Sequence, residues 1–553
     1  MNSNDPNLNY DAQPRGLTGQ VVLFVFASLW IILLSGLDLF LHWSIEQTLF
    51  ENASAILDLR ATFQLIYAIL VIGSLALLFR FTKSPRLKII FRLWLVAGVF
   101  SAICILMRYL TVTAQQETAL FQIALLVFAL LVTSFVKSRF STRKGVVISP
   151  VSRKDYGLFV VAAAVMAVSW VLFGALGSWE DTLLNLITGF LFGWLVSQWV
   201  YPLLLDLTQH AGRVSPPSDL WFDGFAIFVF LLIMVTGLSI NGSQVVMVIT
   251  VPAAGFLISA VSYISVGIKG KGKLGTALIA GAAFSLPLVW FDMDELFLLI
   301  SSTPGETFEW ATRSAWYTLI VTLAMVILIA INVKGFRNLK LPGWLSPVLS
   351  AVSIVALGVL YFGYGQVGWY GEKAFAVLKQ QADVSAVDPK APISDKRNEV
   401  YHQLVSLADQ TQGNLRAGLR ARGAAYTPYY LVNGIETDGG VFTRTWLQGQ
   451  PEVDRILQSP ILRPLHQQPP VGTGNLAEPP AFPAWNITLI GADKVRNELK
   501  VTGKGIVVGQ SDSGVDGSHD QLAGSYRGAA TGDDYNWLDP WNHSASPTDV
   551  GGH

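Results

Sequence analysis

Residues 21–41 read VVLFVFASLWIILLSGLDLFL, an apolar run long enough to cross a bilayer as a helix, which takes roughly 20 residues. The segment before it, MNSNDPNLNYDAQPRGLTGQ, is polar and slightly acidic. A cleavable signal peptide opens instead on a basic segment with a shorter apolar core, so the run is expected to stay as a first membrane helix. Ten similar runs follow, approximately Ala61–Phe81, Ile89–Leu110, Ala119–Val136, Tyr156–Leu176, Leu183–Leu205, Leu220–Ile240, Val245–Ile268, Leu274–Phe291, Ala315–Val333 and Leu345–Gly365. The expectation is a polytopic α-helical membrane region of about 11 helices over residues 1–365.

Loop charge is a separate signal from hydropathy. Lys83, Arg86 and Lys88 fall in the second loop, Lys137, Arg139, Arg143, Lys144, Arg153 and Lys154 in the fourth, Lys269, Lys271 and Lys273 in the eighth, and Lys334, Arg337 and Lys340 in the tenth. The odd loops carry acids, among them Glu46, Glu51, Asp58, Glu180, Asp181, Asp292 and Asp294. Positive loops are retained inside, so the N-terminus is expected in the cytoplasm and everything after residue 366 outside it. Ionisable residues inside spans would mark a pathway. Arg80, Arg92, Arg108, Asp38 and Asp223 fall near the expected helix ends and read as snorkelling or interfacial groups.

The whole composition agrees with a lipid-embedded chain: mean hydropathy is +0.46, and 52% of residues are hydrophobic against 14% charged. Lys plus Arg equals Asp plus Glu at 38 each, so no nucleic-acid partner is expected. Cys104 is the single cysteine, which excludes an intrachain disulfide and a cysteine-based metal site. The KGKGK stretch at 269–273 lacks the frame of a phosphate-binding loop.

From residue 366 the chain turns polar. Residues 366–394 read as a juxtamembrane linker. Residues 395–465 read as a small α+β domain, with amphipathic helical spacing over 395–423 and two strand-like stretches, YYLVNGIETDG and PEVDRILQSPILRPL, the second pairing a short Pro-led helix with an extended tail. Residues 466–484 are proline-rich and aperiodic, an extended linker. Over 485–553, WNITLIGADKVRNELKVTGKG leads into GIVVGQ, an apolar run of the kind found in buried parallel strands, and SDSGVDGSHDQL follows at once. Functional side chains gather just past the carboxyl ends of such strands, where Asp512 stands. Gly503, Gly505 and Gly509 precede or lie within the expected strand, which disfavours a dinucleotide fingerprint. The four-residue spacing of Asp512, Asp516 and Asp520 is not that of a calcium-binding EF-hand loop.

TGKGIVVGQSDSGVDGSHDQL closely resembles the catalytic-aspartate segment of the subtilisin family, D-[ST]-G-[IV]-x-x-x-H-x-x-L, at Asp512, Ser513, Gly514, Val515, His519 and Leu522. The chain ends in DVGGH, where His553 resembles the first histidine of the family's H-G-T-H motif. The connection between the two is similar to that of bacillopeptidase F-like members, and residues 395–465 are similar to the inhibitory propeptide of these proteases. The resemblance implies the N-terminal part of an α/β subtilisin-like domain with a parallel sheet over 485–553. It implies Asp512 orienting a His553 general base. His519 is expected to stabilise a turn.

In subtilisin, loss of the aspartate alone costs about 3 × 10⁴ in kcat, and of serine or histidine about 2 × 10⁶. The triad serine and oxyanion asparagine are assigned to no residue here, so the chain is expected to be a precursor fragment, inactive as it stands. No cofactor is implied; structural calcium is compatible with the family but has no assignable ligands. The implied function is a membrane-anchored, extracytoplasmic serine endopeptidase whose partners are protein or peptide substrates and the lipid bilayer, with oligomeric state open. The alternatives are a membrane sensor or scaffold with an inactive protease-like binding module, and a transporter with an accessory exterior domain.

Overall fold

The structure, a computed structural model, describes residues 17–51, 58–109, 115–140, 156–210, 217–240, 242–264, 272–293, 306–332, 342, 344–365, 371–438, 440–461, 483–512, 514–534, 536–539 and 544–549. The described residues divide into two units, Met1–Leu462 and Arg463–His553.

The first unit begins with eleven helices: α1 (Leu17–Glu51), α2 (Arg60–Phe81), α3 (Pro85–Ile103), α4 (Gln115–Phe140), α5 (Tyr156–Phe173), α6 (Trp179–His210), α7 (Pro217–Leu238), α8 (Gln244–Ile264), α9 (Gly272–Trp290), α10 (Glu306–Ile331) and α11 (Leu345–Tyr364). A 3-10 segment, Cys104–Tyr109, continues α3. Ten of these helices are long and apolar enough to cross a membrane, and α5 is a shorter apolar helix. In hydrocarbon the backbone must satisfy its own hydrogen bonds, which is why apolar runs of this length become helices. Local signals set some ends: Pro85 opens α3, and the Ser84 hydroxyl accepts from the Leu87 amide. The α5 helix stops early because the Ala175 amide turns away to the Trp290 carbonyl, at 3.0 Å.

Burial sorts the helices. The most apolar windows of α7 and α8 are 72% buried, that of α11 only 11%, so α7 and α8 form the centre and α11 the rim. Where α6 meets α9, Gly189, Gly193 and Gly281 leave no room for a Cβ: one at Gly281 would stand 2.7 Å from the Gly189 carbonyl oxygen. Small residues at this spacing let helix backbones touch. Near α1, Phe24 and Phe91 flank Trp94, whose indole donates to the Ala226 carbonyl at 2.8 Å, so the buried N–H is satisfied.

The same unit ends in a small α/β domain: β1 (Gly371–Leu378), α12 (Ile393–Thr411), α13 (Gly413–Ala421), β2 (Tyr426–Tyr429), β3 (Gly434–Asp438), α14 (Val441–Gln448) and β4 (Val453–Ile461). All pairings are antiparallel and the order is β2-β3-β1-β4. Split βαβ units arranged this way make the ferredoxin-like topology. Alternate residues of β1, Ala374, Ala376 and Leu378, are buried; the last two pack with Leu415 and Leu419 of α13, Ile435, Leu447 and Val453. Two expectations need correction. The segment 366–394 is not all linker, because GEKAFAVL is one of the two inner strands of the sheet. PEVDRIL opens no helix; the strand-like character of this stretch prevails, and Val453–Ile461 is a strand paired along β1.

In the second unit the described residues form four short helices, α15 (Trp485–Leu489), α16 (Ala492–Glu498), α17 (Asp520–Ala523) and α18 (Gly528–Thr531), and an isolated bridge between Gly514 and Asp549. The expected parallel strand is absent among the described residues. GIVVGQ has no strand partner there, and Val508 is 85% exposed. An apolar strand is buried only when neighbours pair with both of its edges and cover both of its faces, and the described residues of this unit provide neither. The one sheet of the described residues is antiparallel, not parallel.

Candidate functional site

Asp512 lies exposed at the end of this extended segment, where the Gln510 amide donates to its Oδ2 at 3.0 Å. His553, expected as its partner, lies outside the described residues, as does Ser513. Among the described residues no strand carries Asp512 into a core. The turn after Asp512 is nevertheless well specified. The Asp516 carboxylate accepts from the Ser518 hydroxyl and amide, and these two hydrogen bonds, the hydroxyl's the larger, hold its carboxyl below the usual range. His519 Nδ1 accepts from the Gln521 amide at 3.2 Å and so caps α17. The Val515 amide donates to the Thr548 carbonyl at 3.3 Å, beside the Gly514–Asp549 bridge. The aspartate motif is thereby brought alongside the residues that lead to the final Gly-Gly-His.

A second site lies within the helical bundle, and there the sequence reading was wrong. Asp38 and Arg108 do not snorkel: they are 3% and 1% exposed. Asp223 is also buried and is bound to Arg86 at 2.7 Å; Arg80 and Arg92 are exposed.

On α1, Ser35, Asp38, His42 and Glu46 follow at spacings of three, four and four residues, one helical face. On α2, Arg60, Gln64 and Tyr67 form the facing stripe. The helices run antiparallel, so the stripes meet rung by rung. Ser35 Oγ and the Tyr67 hydroxyl share a hydrogen bond at 2.9 Å; His42 Nε2 stands 2.8 Å from the Arg60 carbonyl; Glu46 lies 3.7 Å from the Arg60 guanidinium. Arg60 also grips Asp58, whose side chain is 40% exposed. These interactions hold the Asp58 carboxyl below its ordinary value despite the opposing effect of burial.

Arg108 closes the cluster from the 3-10 segment. It donates to Gln64 Oε1 and to the carbonyls of Thr236 and Ser239, at 2.8 and 2.7 Å, where α7 ends. A guanidinium there satisfies orphan carbonyls and complements the negative end of the helix. From the start of α8, Gln244 Nε2 donates to Glu46 Oε2 at 2.8 Å. Buried side chains in this cluster still carry atoms without a hydrogen-bond partner, Asp38 Oδ1 and Gln244 Oε1. Sequence reasoning missed His42, Glu46, Arg60 and Gln244 as a set, although the 38, 42, 46 spacing inside an apolar run was visible.

No group of His, Cys, Asp and Glu that could hold a metal ion occurs among the described residues. No protein-family model, curated protein or solved structure matches this chain.

Proposed function

We propose that this chain belongs to a membrane-anchored serine endopeptidase of the subtilisin type, its N-terminus cytoplasmic and its residues after 366 extracytoplasmic. Asp512 orients His553, and His553 is the general base for a serine not assigned to any residue here. The observation that carries the reading is the Gly514–Asp549 bridge, which sets the aspartate motif beside the segment leading to His553. The ferredoxin-like domain is a second support. It precedes the aspartate segment in the chain and has the small α+β build expected of an inhibitory propeptide, so residues 371–461 take that role. The loop charges support the orientation.

Labelling with a serine-reactive fluorophosphonate tests this, on the protein as its source produces it, in native membranes. The expected result is a labelled species whose labelling is lost in Asp512→Asn. Absence of labelling in folded wild-type protein overturns the reading in favour of a protease-like binding module.

A further inference from the structure

The buried cluster on α1 and α2 is not needed for peptide-bond hydrolysis, and its hydrogen-bond inventory points to a ligand. His42 Nδ1 stands 2.8 Å from the Asp38 carbonyl oxygen and 3.1 Å from Asp38 Oδ2. On the other side of the ring, Nε2 stands 2.8 Å from the Arg60 carbonyl oxygen. Both nitrogens therefore face acceptors. A neutral imidazole has one N–H and would leave a nitrogen lone pair against an oxygen lone pair, whereas the imidazolium donates on both sides.

Charge leads to the same place. The cluster holds three carboxylates, Asp38, Glu46 and Asp58, and two guanidiniums, Arg60 and Arg108. It is one negative charge in excess with a neutral ring and balanced with a protonated one. An unbalanced charge inside a bundle is costly, and a balanced, hydrogen-bonded set far less so. Glu46 lies on α1, Arg60 and Tyr67 on α2, Asp58 before α2, and Arg108 with Cys104 on the 3-10 segment. Among the described residues α7 contributes the carbonyls of Thr236 and Ser239 and α8 the Gln244 amide.

We propose that the His42–Asp38 pair is a buried proton-binding site of the membrane region, loaded from the Asp58 end. Asp38 is ten residues inside the Thr48 end of its 30-residue span, about 15 Å along the helix at 1.5 Å per residue. His42 and Glu46 lie on the same face between it and that end, and Asp58 stands partly exposed beyond them. A hydronium ion at Asp58 gives up its proton, water leaves, and an N–H bond forms on His42. The cluster goes from one net negative charge to none, and the Asp38 carboxylate, its Oδ2 3.1 Å from His42 Nδ1, is the counter-ion of the loaded ring.

The test is nitrogen NMR of histidine-labelled full-length protein in lipid nanodiscs, with His42→Gln to identify the resonance. The expected result is a His42 ring carrying hydrogen on both nitrogens near pH 7, within the range of about pH 5–8 where histidine acts as a switch. In folded Asp38→Asn the ring should carry hydrogen on one nitrogen only near pH 7. Asp58→Asn should slow exchange of the ring protons with water. A wild-type ring with a single N–H across that range overturns the proposal, as does a ring still carrying hydrogen on both nitrogens in folded Asp38→Asn. If Asp38→Asn does not fold, the wild-type spectrum alone decides.

Discussion

The Gln412 side-chain amide donates to Asn433 Oδ1 at 2.8 Å, joining the α12–α13 junction to the turn between β2 and β3. The same nitrogen lies 2.8 Å from the Tyr429 carbonyl and 3.1 Å from that of Gly434, and Gln412 Oε1 accepts from the Arg416 guanidinium at 2.7 Å. Asn433 in turn donates to the Gln380 carbonyl and to Thr411 Oγ1. Gln412 is fully buried and Asn433 nearly so.

Gln412→Ala should therefore destabilise the ferredoxin-like domain by about 1–3 kcal/mol, because buried acceptors lose their donor. Hydrogen exchange is the measurement. Protection at β3 and the β2–β3 turn should fall, while the amides of α6 to α9 keep theirs.

Gly193→Leu should disrupt the α6–α9 crossing, since even a Cβ there would collide with the α9 backbone around Gly281. Gly36→Leu is the control, because a Cβ at Gly36 meets nothing within 4 Å. Thermal unfolding in detergent should show a lowered Tm for Gly193→Leu and an almost unchanged one for Gly36→Leu.

Arg108→Met removes the donor from two α7 carbonyls and a positive charge from the surroundings of Asp38 and Glu46. Breaking a buried charged network by deleting one partner costs about 3–5 kcal/mol. Arg92→Met, at an exposed position, should stay within about 0.5 kcal/mol of wild type. Unfolding in denaturant, with both variants in the same detergent, measures the difference.

Tyr526 donates to Asp533 Oδ1 at 2.6 Å, and that hydrogen bond is the main reason its phenol is pushed up from 10.0 to about 12. The folded value lies above the unfolded one. The contact thus contributes its full stabilisation below pH 10.0 and loses it as pH rises through about 12. Ultraviolet titration should show one tyrosinate appearing earlier in Asp533→Asn than in wild type. Identical curves would refute the pairing.

The membrane half was legible because lipid leaves an apolar run of 20 residues little choice but a helix. Which side of each helix faces inward was less so. Asp38 looked interfacial by its distance from the end of an apolar run, and only the α2 stripe opposite shows that it points into the bundle. In the ferredoxin-like domain the periodicity of α12 and α13 was visible. The inner strand β1 was missed because GEKAFAVL is short, sits among polar residues and has no partner nearby in sequence; it pairs with residues 434–438 and 453–461. For the protease-like segment, the motif spacing was readable at Asp512, but burial of GIVVGQ required partner strands that spacing cannot supply.

Every rung of the four-stranded sheet joins residues that lie between 371 and 461. Severing the backbone just past Ile461 would cut the chain without undoing a single strand pairing. Among the described residues the sheet therefore draws no strand pairing from anything past Ile461, and its fold does not depend on the chain continuing beyond that residue.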